Sequence, residues 1–293
     1  MADEHFSYGG QAVIEGVMIR GRKGYATAFR LADGGIEVEK HLWEPVSRRH
    51  RLLSLPFVRG TPALIDALII GYRSLMRSAD VAAREEEIKA PTPFQYALSI
   101  AAALAIAIGG FVLAPTAVLN RLALNSFGLN FVEGLIRMVF FVIFILLSAR
   151  MAEMRRVFQY HGAEHKVINA YEQTGEYSVK LAEDFQTLHQ RCGTSFIFTV
   201  LVVGILVHAV MGWPSLAVRL ASRIIVLPIV AGISYEVIKL AGVYKSSRIL
   251  GAVAAPGMLL QRITTRPPTE DQVEVAIQAL EGALELDGVK VEA

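Results

Sequence analysis

The sequence predicts an α-helical integral membrane protein with about four transmembrane helices, a small N-terminal β-containing cytoplasmic piece and a C-terminal cytoplasmic helix. Three observations predict it. Apolar residues make up 53% of the 293-residue chain, above the soluble average of about 45–50%. The excess is gathered into runs of about the 17–25 residues that a helix needs to cross hydrocarbon. Outside those runs the chain opens on Gly-bounded segments rich in Val and Ile, and it closes on an apolar stripe at helical spacing.

Residues 1–55 form the soluble, strand-bearing piece. Gln11 to Arg20 reads as a strand between Gly9-Gly10 and Gly21. Tyr25 to Leu31 and Ile36 to Trp43 flank Ala32-Asp33-Gly34-Gly35, a hairpin signal. The basic run Ser47 to Arg51 is either a solvated loop or a contact with anionic headgroups. Residues 56–93 hold an amphipathic interfacial helix, Thr61 to Met76, with Pro62 in its first turn. A charged linker, Ala79 to Pro93, follows it.

Residues 94–255 are the membrane domain, with spans at Tyr96–Val118, Phe131–Ala149, Ser195–Gly212 and Ile224–Gly242. Basic residues orient them. Arg77, Arg84 and Lys89 precede the first span, Arg150, Arg155, Arg156 and Lys166 follow the second, and Lys245 and Arg248 follow the fourth. The opposite loops offer Arg121 and, less firmly, Arg219 and Arg223. Both termini and the long loop 150–194 are thus expected in the cytoplasm of a cell with this protein in its inner (cytoplasmic) membrane. Residues 256–293 begin at Pro256-Gly257 and contain a helix capped by Thr269 and Gln272. Its stripe of Val273, Ile277, Leu280 and Leu284 suits docking on the protein's own cytosolic piece.

The net charge of +2 argues against nucleic acid as a partner; the lipid bilayer and an unknown substrate are the partners expected. Cys192 is the sole cysteine, which excludes an intrachain disulfide. The N-terminus lacks the basic-then-apolar layout of a secretory signal.

Chemistry concentrates in His161-Gly-Ala-Glu164-His165. Residues i, i+3 and i+4 share one helix face, so both imidazoles can hold one divalent ion, with zinc expected, and Glu164 can serve as the base that takes a proton from water. H-x-x-E-H is also the inverzincin spacing. The other reading is a polar helix turn at the membrane surface. Candidates to complete a metal shell are Glu172, His189, Cys192 and the more distant Glu236. A shell of His161, His165, His189 and Cys192 would be closed and structural; one lacking a member would leave room for substrate. Cys192 could instead be core filler, or a nucleophile with His189 as base. Glu133 and Arg137, spaced i, i+4 on the second span, read as a structural ion pair, and Glu236 has Lys239 as an alternative partner. Gln11, Glu15 and Arg20 offer polar groups beside the first strand, and Tyr160, Lys166 and Arg191 flank the histidine and cysteine motifs.

Taken together, Gly9 to Gly21, Phe158 to Lys166, His189 to Phe196, Ala231 to Glu236, and Pro256-Gly257 with the Gln261 to Thr265 run resemble the YqhQ-like family of bacterial membrane proteins. That is a domain of unknown function whose members are described as predicted metal-dependent enzymes. The resemblance covers nearly the whole chain. It implies a membrane location and a metal site, with Glu15, His161, Glu164, His165, His189, Cys192 and Glu236 as its motif residues, and it supplies no substrate. The inverzincin likeness rests on five residues and a fold that these spans do not share. Two functions stand against each other: a metal-dependent, hydrolase-like enzyme at the cytoplasmic face, and a non-enzymatic transporter, assembly factor or scaffold with a structural metal.

Overall fold

The computed structural model describes residues 8–85, 92–119, 123–244 and 247–289. Lys89, Arg121 and Lys245, which enter the orientation argument, lie outside them.

The chain begins with an antiparallel meander: β1 (Gly9–Val13), β2 (Gly16–Arg20), β3 (Gly24–Arg30) and β4 (Ile36–Leu42), paired in that order. Gln11 to Arg20 is therefore not one strand. It is a hairpin in which Val13 faces Gly16 across the Ile14-Glu15 turn. Glu15 takes a left-handed φ of 50°, unusual for a residue other than Gly, Asn or Asp, which is why the turn is hidden in the sequence. Gly16 makes the tight pairing possible: a Cβ there would run into the Ala28 carbonyl. The β3–β4 turn follows its sequence signal, with Gly34 at φ +86° and the Asp33 carboxylate accepting from the Gly35 N–H at 2.8 Å.

The remaining described residues are mainly helical. The basic run forms a short α1 (Val46–Arg49), followed by a 3₁₀ turn, Arg51–Ser54. Helix α2 runs Gly60–Glu85, so the segment expected as a linker continues the helix by nine residues beyond Met76. Its buried side carries Ile70, Ser74, Ser78 and Val81, while Leu68 and Tyr72 are left exposed. Then come α3 (Pro93–Ile108), a π turn (Gly109–Leu113), α4 (Ala114–Leu119) and α5 (Ser126–Ser148). The expected loop 150–194 is mostly helix, α6 (Ala152–Thr174) and α7 (Val179–Glu183). Helices α8 (Gly193–Ala209), α9 (Leu216–Val243), α10 (Arg248–Thr264) and α11 (Glu270–Asp287) follow. The boundary expected at Pro256 falls inside α10.

Three runs among the described residues are long and apolar enough to cross a membrane: Ala97–Thr116, α5 and α9. Helix α8 is apolar but shorter, at 17 residues. It stops before Gly212, which turns the chain at φ +76° and whose carbonyl accepts from Asn130 at 2.6 Å. No residue in the most apolar stretch of Ala97–Thr116 is buried within the chain, and α5 buries only Asn130 and Glu133.

The two ends of the chain share one core with α6. Val17, Ile19, Ala26 and Ala28 of the sheet meet Val273, Ala276, Leu280 and Leu284 of α11, and Tyr160, Ala163 and Val167 of α6 close the third side. Leu280 is completely buried here. A Leu280→Ala change is expected to destabilise this unit by about 2–5 kcal/mol, the usual cost of a buried Leu-to-Ala cavity. Denaturation of the full chain in detergent checks it; an unchanged midpoint would show that the three-way core does not hold.

Candidate metal centre

The site is assembled where α6 passes the start of α8 and the end of α10. Gly162 lets the chain come close. The 265–268 segment crosses α6 so tightly that a Cβ on Gly162 would overlap the Arg266 carbonyl, and the Arg266 N–H donates to Phe158 O at 2.9 Å. Cys192 is the N-cap of α8, its Sγ accepting from the Thr194 N–H at 3.4 Å.

These elements gather His161, His165 and Cys192, with one ligand atom of each within 4.8 Å of the others. The imidazoles are oriented from behind. His161 Nδ1 lies 2.8 Å from Thr264 O, and His165 Nδ1 lies 2.5 Å from Thr187 O. A carbonyl only accepts, so each ring carries its proton on Nδ1 and leaves the Nε2 lone pair free. The His161 Nε2 to Cys192 Sγ distance is 3.3 Å. Two such ligands on one tetrahedral zinc lie about 3.5 Å apart, from the usual Zn–N and Zn–S lengths. Backbone carbonyls behind metal-binding imidazoles are the common second shell. Two imidazole nitrogens and a thiolate are a zinc donor set, so the residues present fit the ion. Burial also lowers the His165 pKa, with the neighbouring imidazoles adding to the effect and Cys192 opposing it, which favours the neutral, ligating form.

Glu164 lies beside this group. It is fully enclosed, and burial pushes its carboxyl up to about 7, against the opposing pull of His161 and the Gly10 backbone N–H. Its Oε2 is buried without a hydrogen-bond partner among the described residues. Gly10 of β1 is needed there: a Cβ would lie 3.0 Å from the Glu164 carboxyl carbon and overlap Met18 O. Gly10→Ala is expected to cost about 1–3 kcal/mol as an overpacked contact, measured as a lowered melting temperature. An unchanged melt would mean that Glu164 is not pressed against β1.

The other residues expected at the site are held elsewhere. His189 is buried with its ring 5.5 Å from that of His165, yet its Nε2 turns to Glu172 at 3.7 Å. Glu172 in turn is taken by Arg191. Burial alone would raise the Glu172 pKa, but His189 and Arg191 hold it below the usual range. Neither His189 nor Glu172 therefore joins the ligand group. Glu236 lies outside the group of His161, His165 and Cys192, and its hydrogen bonds go to partners other than Lys239. Arg59 binds it bidentately, at 2.7 and 2.6 Å, and the Phe57 N–H adds a third bond at 3.2 Å.

Glu15 pairs with Arg156 and accepts from the Tyr160 hydroxyl at 3.2 Å, pinning the β1–β2 turn to α6. Burial raises the Tyr160 pKa. Gln11 packs on α2, where its Oε1 occupies the space a Cβ on Gly71 would need. Arg20 meets the buried Asp66 of α2 at 3.4 Å, and Lys166 donates to the Ala182 and Glu183 carbonyls at 3.1 and 2.7 Å, closing the end of α7. These side chains build the frame around the centre.

Three contributors are not among the candidate site residues, although Gln261 and Thr264 lie in the Gln261 to Thr265 run. Thr187 and Thr264 act through backbone carbonyls, which leave no trace in side-chain spacing. Gln261 is completely buried and forms a reciprocal pair with the His189 backbone, at 2.9 and 2.8 Å, while donating to Ser195 Oγ at 2.6 Å. It fixes the start of α8, and so Cys192, against α10.

A family model described as a protein of unknown function (DUF1385) matches residues 55–286. The chain is also 35% identical over 298 residues to the uncharacterized protein YqhQ of Bacillus subtilis (strain 168), across 97% of this chain and 94% of that one. No solved structure matches.

Proposed function

The chain belongs to the DUF1385 family of proteins of unknown function, and we propose that it is a multi-pass membrane protein carrying a zinc-type, hydrolase-like centre at its cytoplasmic face. The observation that carries the reading is the convergence of one ring nitrogen from each of His161 and His165 with the Cys192 Sγ, all within 4.8 Å, on rings oriented through Nδ1; such a three-ligand set would leave a fourth position for substrate or water. Three-ligand sites are the usual catalytic arrangement, whereas structural zinc sites are closed by four. His189, the residue that would close this shell, is engaged by Glu172 instead, which weighs against the scaffold alternative.

Membrane insertion is supported by the uncovered apolar surface of Ala97–Thr116 and α5. Monomers in water rarely expose apolar patches beyond a few hundred Å². The centre lies at the end of the bundle that carries Arg150, Arg155 and Arg156, and the positive-inside rule makes that end cytoplasmic. The sheet and α11 pack on α6 at the same end, which supports the same side for the described residues near both termini.

When bound, the ion would supply Lewis acidity to polarise a substrate carbonyl or phosphoryl oxygen. His161, His165 and Cys192 would hold it, and the Thr264 and Thr187 carbonyls keep both rings in the ligating tautomer. Glu164 accepts the proton of an attacking water at its free Oε2 and returns it to the leaving group. The surrounding burial keeps bulk water away from that exchange.

Elemental analysis of the full chain purified in non-ionic detergent tests the reading. About one zinc-class ion per chain is expected, as for a three-ligand site, with loss on Cys192→Ala. A preparation that takes up no stoichiometric divalent metal on reconstitution would rule out the centre.

A further inference from the structure

A second polar cluster lies in the bundle, toward the end of α8 remote from Cys192. Glu133 of α5 is completely buried. It accepts from Arg137 Nη2 at 2.8 Å and from both terminal nitrogens of Arg223 on α9, one of them at 3.1 Å. One turn before Arg223, the buried Arg219 stacks over Trp213 with its guanidinium 3.8 Å from the ring centroid. Three guanidiniums thus gather around one carboxylate. The sequence offers no other acid to balance them: Glu133 is the sole acid between Thr92 and Arg150, and Glu236, the sole acid of α8 and α9, is held by Arg59.

Uncompensated positive charge in an apolar bundle is costly, and such groups pair with a counter-charge or mark a binding pathway. The hydrogen bonds point the same way. The Nε atoms of Arg137, Arg219 and Arg223, and Nη1 of Arg219, are buried without a partner among the described residues. Beside them is a cavity of about 190 Å³, lined by Arg137, Arg223, His208 and the apolar Leu201, Ile205 and Leu227. His208 Nδ1 donates to Gly204 O at 2.6 Å, so its Nε2, also unpartnered, is an acceptor.

We propose that this cavity between α5, α8 and α9 binds a phosphate-class oxyanion. Planar guanidiniums match phosphate oxygens in forked geometry. An imidazole acceptor suits the P–OH of a hydrogen phosphate or phosphomonoester, a group that a carboxylate lacks. The apolar walls leave space for an alkyl chain, so the same chemistry can arrive as free phosphate or as a lipid headgroup.

Calorimetric titration of the full chain in non-ionic detergent, with inorganic phosphate and with dodecyl phosphate, tests the site. Saturable one-to-one binding of at least one probe is expected. Inorganic phosphate binding as tightly as dodecyl phosphate identifies free phosphate as the source, and saturation by dodecyl phosphate alone identifies a lipid headgroup. Arg137→Gln should weaken binding by about tenfold or more, as loss of a charge-assisted contact does. Glu133→Gln should tighten it, because the competing carboxylate is gone. Gly204→Leu keeps every charged group and has room at Cβ, with nothing nearer than Val230 at 3.9 Å, but fills the cavity and should abolish binding. The site is overturned if neither probe saturates the wild-type chain, or if binding is unchanged in folded Glu133→Gln and Gly204→Leu proteins.

Discussion

His161→Ala/His165→Ala is expected to strip the chain of stoichiometric metal. Zinc held by a full set of side-chain ligands is worth about 10–16 kcal/mol in apparent binding. Removing two donors of three leaves Cys192 alone, so affinity should fall by roughly 10⁴-fold or more. The loss should be specific to the three residues that converge. His189→Ala should keep its metal, because that ring faces Glu172 at 3.7 Å, and Glu236→Gln should keep it, because that carboxylate belongs to Arg59. The double variant also leaves the Thr187 and Thr264 carbonyls without donors, a cost of about 1–3 kcal/mol for each buried group. A melting curve recorded beside the elemental analysis separates that cost from ligand loss. Equal metal content in the double variant and the wild type would exclude His161 and His165 as ligands.

That contrast between His189 and Cys192 shows where the sequence was informative. The i, i+4 spacing of His161 and His165 needs only one helix, so their shared face could be read directly. Cys192 was readable as a candidate, but its advantage over His189 was not. The choice depends on α8 starting at Gly193, which turns Cys192 into an N-cap facing α6 and leaves His189 beside Glu172 and Arg191. The partner of Glu236 is hidden in the sequence for a related reason. Its partner Arg59 lies 177 residues earlier in the chain, and no local pattern announces such a pair, whereas Lys239 stands one turn away. The β1–β2 hairpin was missed because Ile14-Glu15 lacks turn chemistry and only the backbone φ of Glu15 reveals it. Unbroken apolar runs mark α3, α5, α8 and α9, since that signal is local, whereas the more polar α6 falls in a stretch that reads as a loop. The joint core of sheet, α6 and α11 is a long-range product of packing. The amphipathic stripe of α11 points to docking on the protein's own cytosolic piece, but not to the sheet and α6 faces that it meets.

Gly162→Ala joins that packing to the metal centre. The added Cβ would overlap the carbonyl of Arg266, and a backbone carbonyl cannot swing aside as a side chain can. The 265–268 segment is tied to α6 by the Arg266 N–H bond to Phe158 O and to the end of α5 by Arg266 Nη2 on Ala149 O at 3.3 Å. Relief therefore requires the segment to lift from α6. Because Thr264 lies two residues before Arg266, its carbonyl would be carried away from His161 Nδ1, now 2.8 Å distant. Overpacking of this kind costs about 1–3 kcal/mol and occasionally more, and loss of a second-shell partner lowers metal affinity about 10- to 100-fold. Both effects are expected together, in a protein that retains all three ligands. Gly251→Ala supplies the control: it lies within α10 with nothing within 4 Å of its Cβ, so helix propensity alone should act and stability should hold or rise slightly. Competition with a zinc chelator measures the affinity and thermal unfolding the stability. If Gly162→Ala matched Gly251→Ala in both, the close crossing at Arg266 would have no part in holding His161 in its ligating orientation.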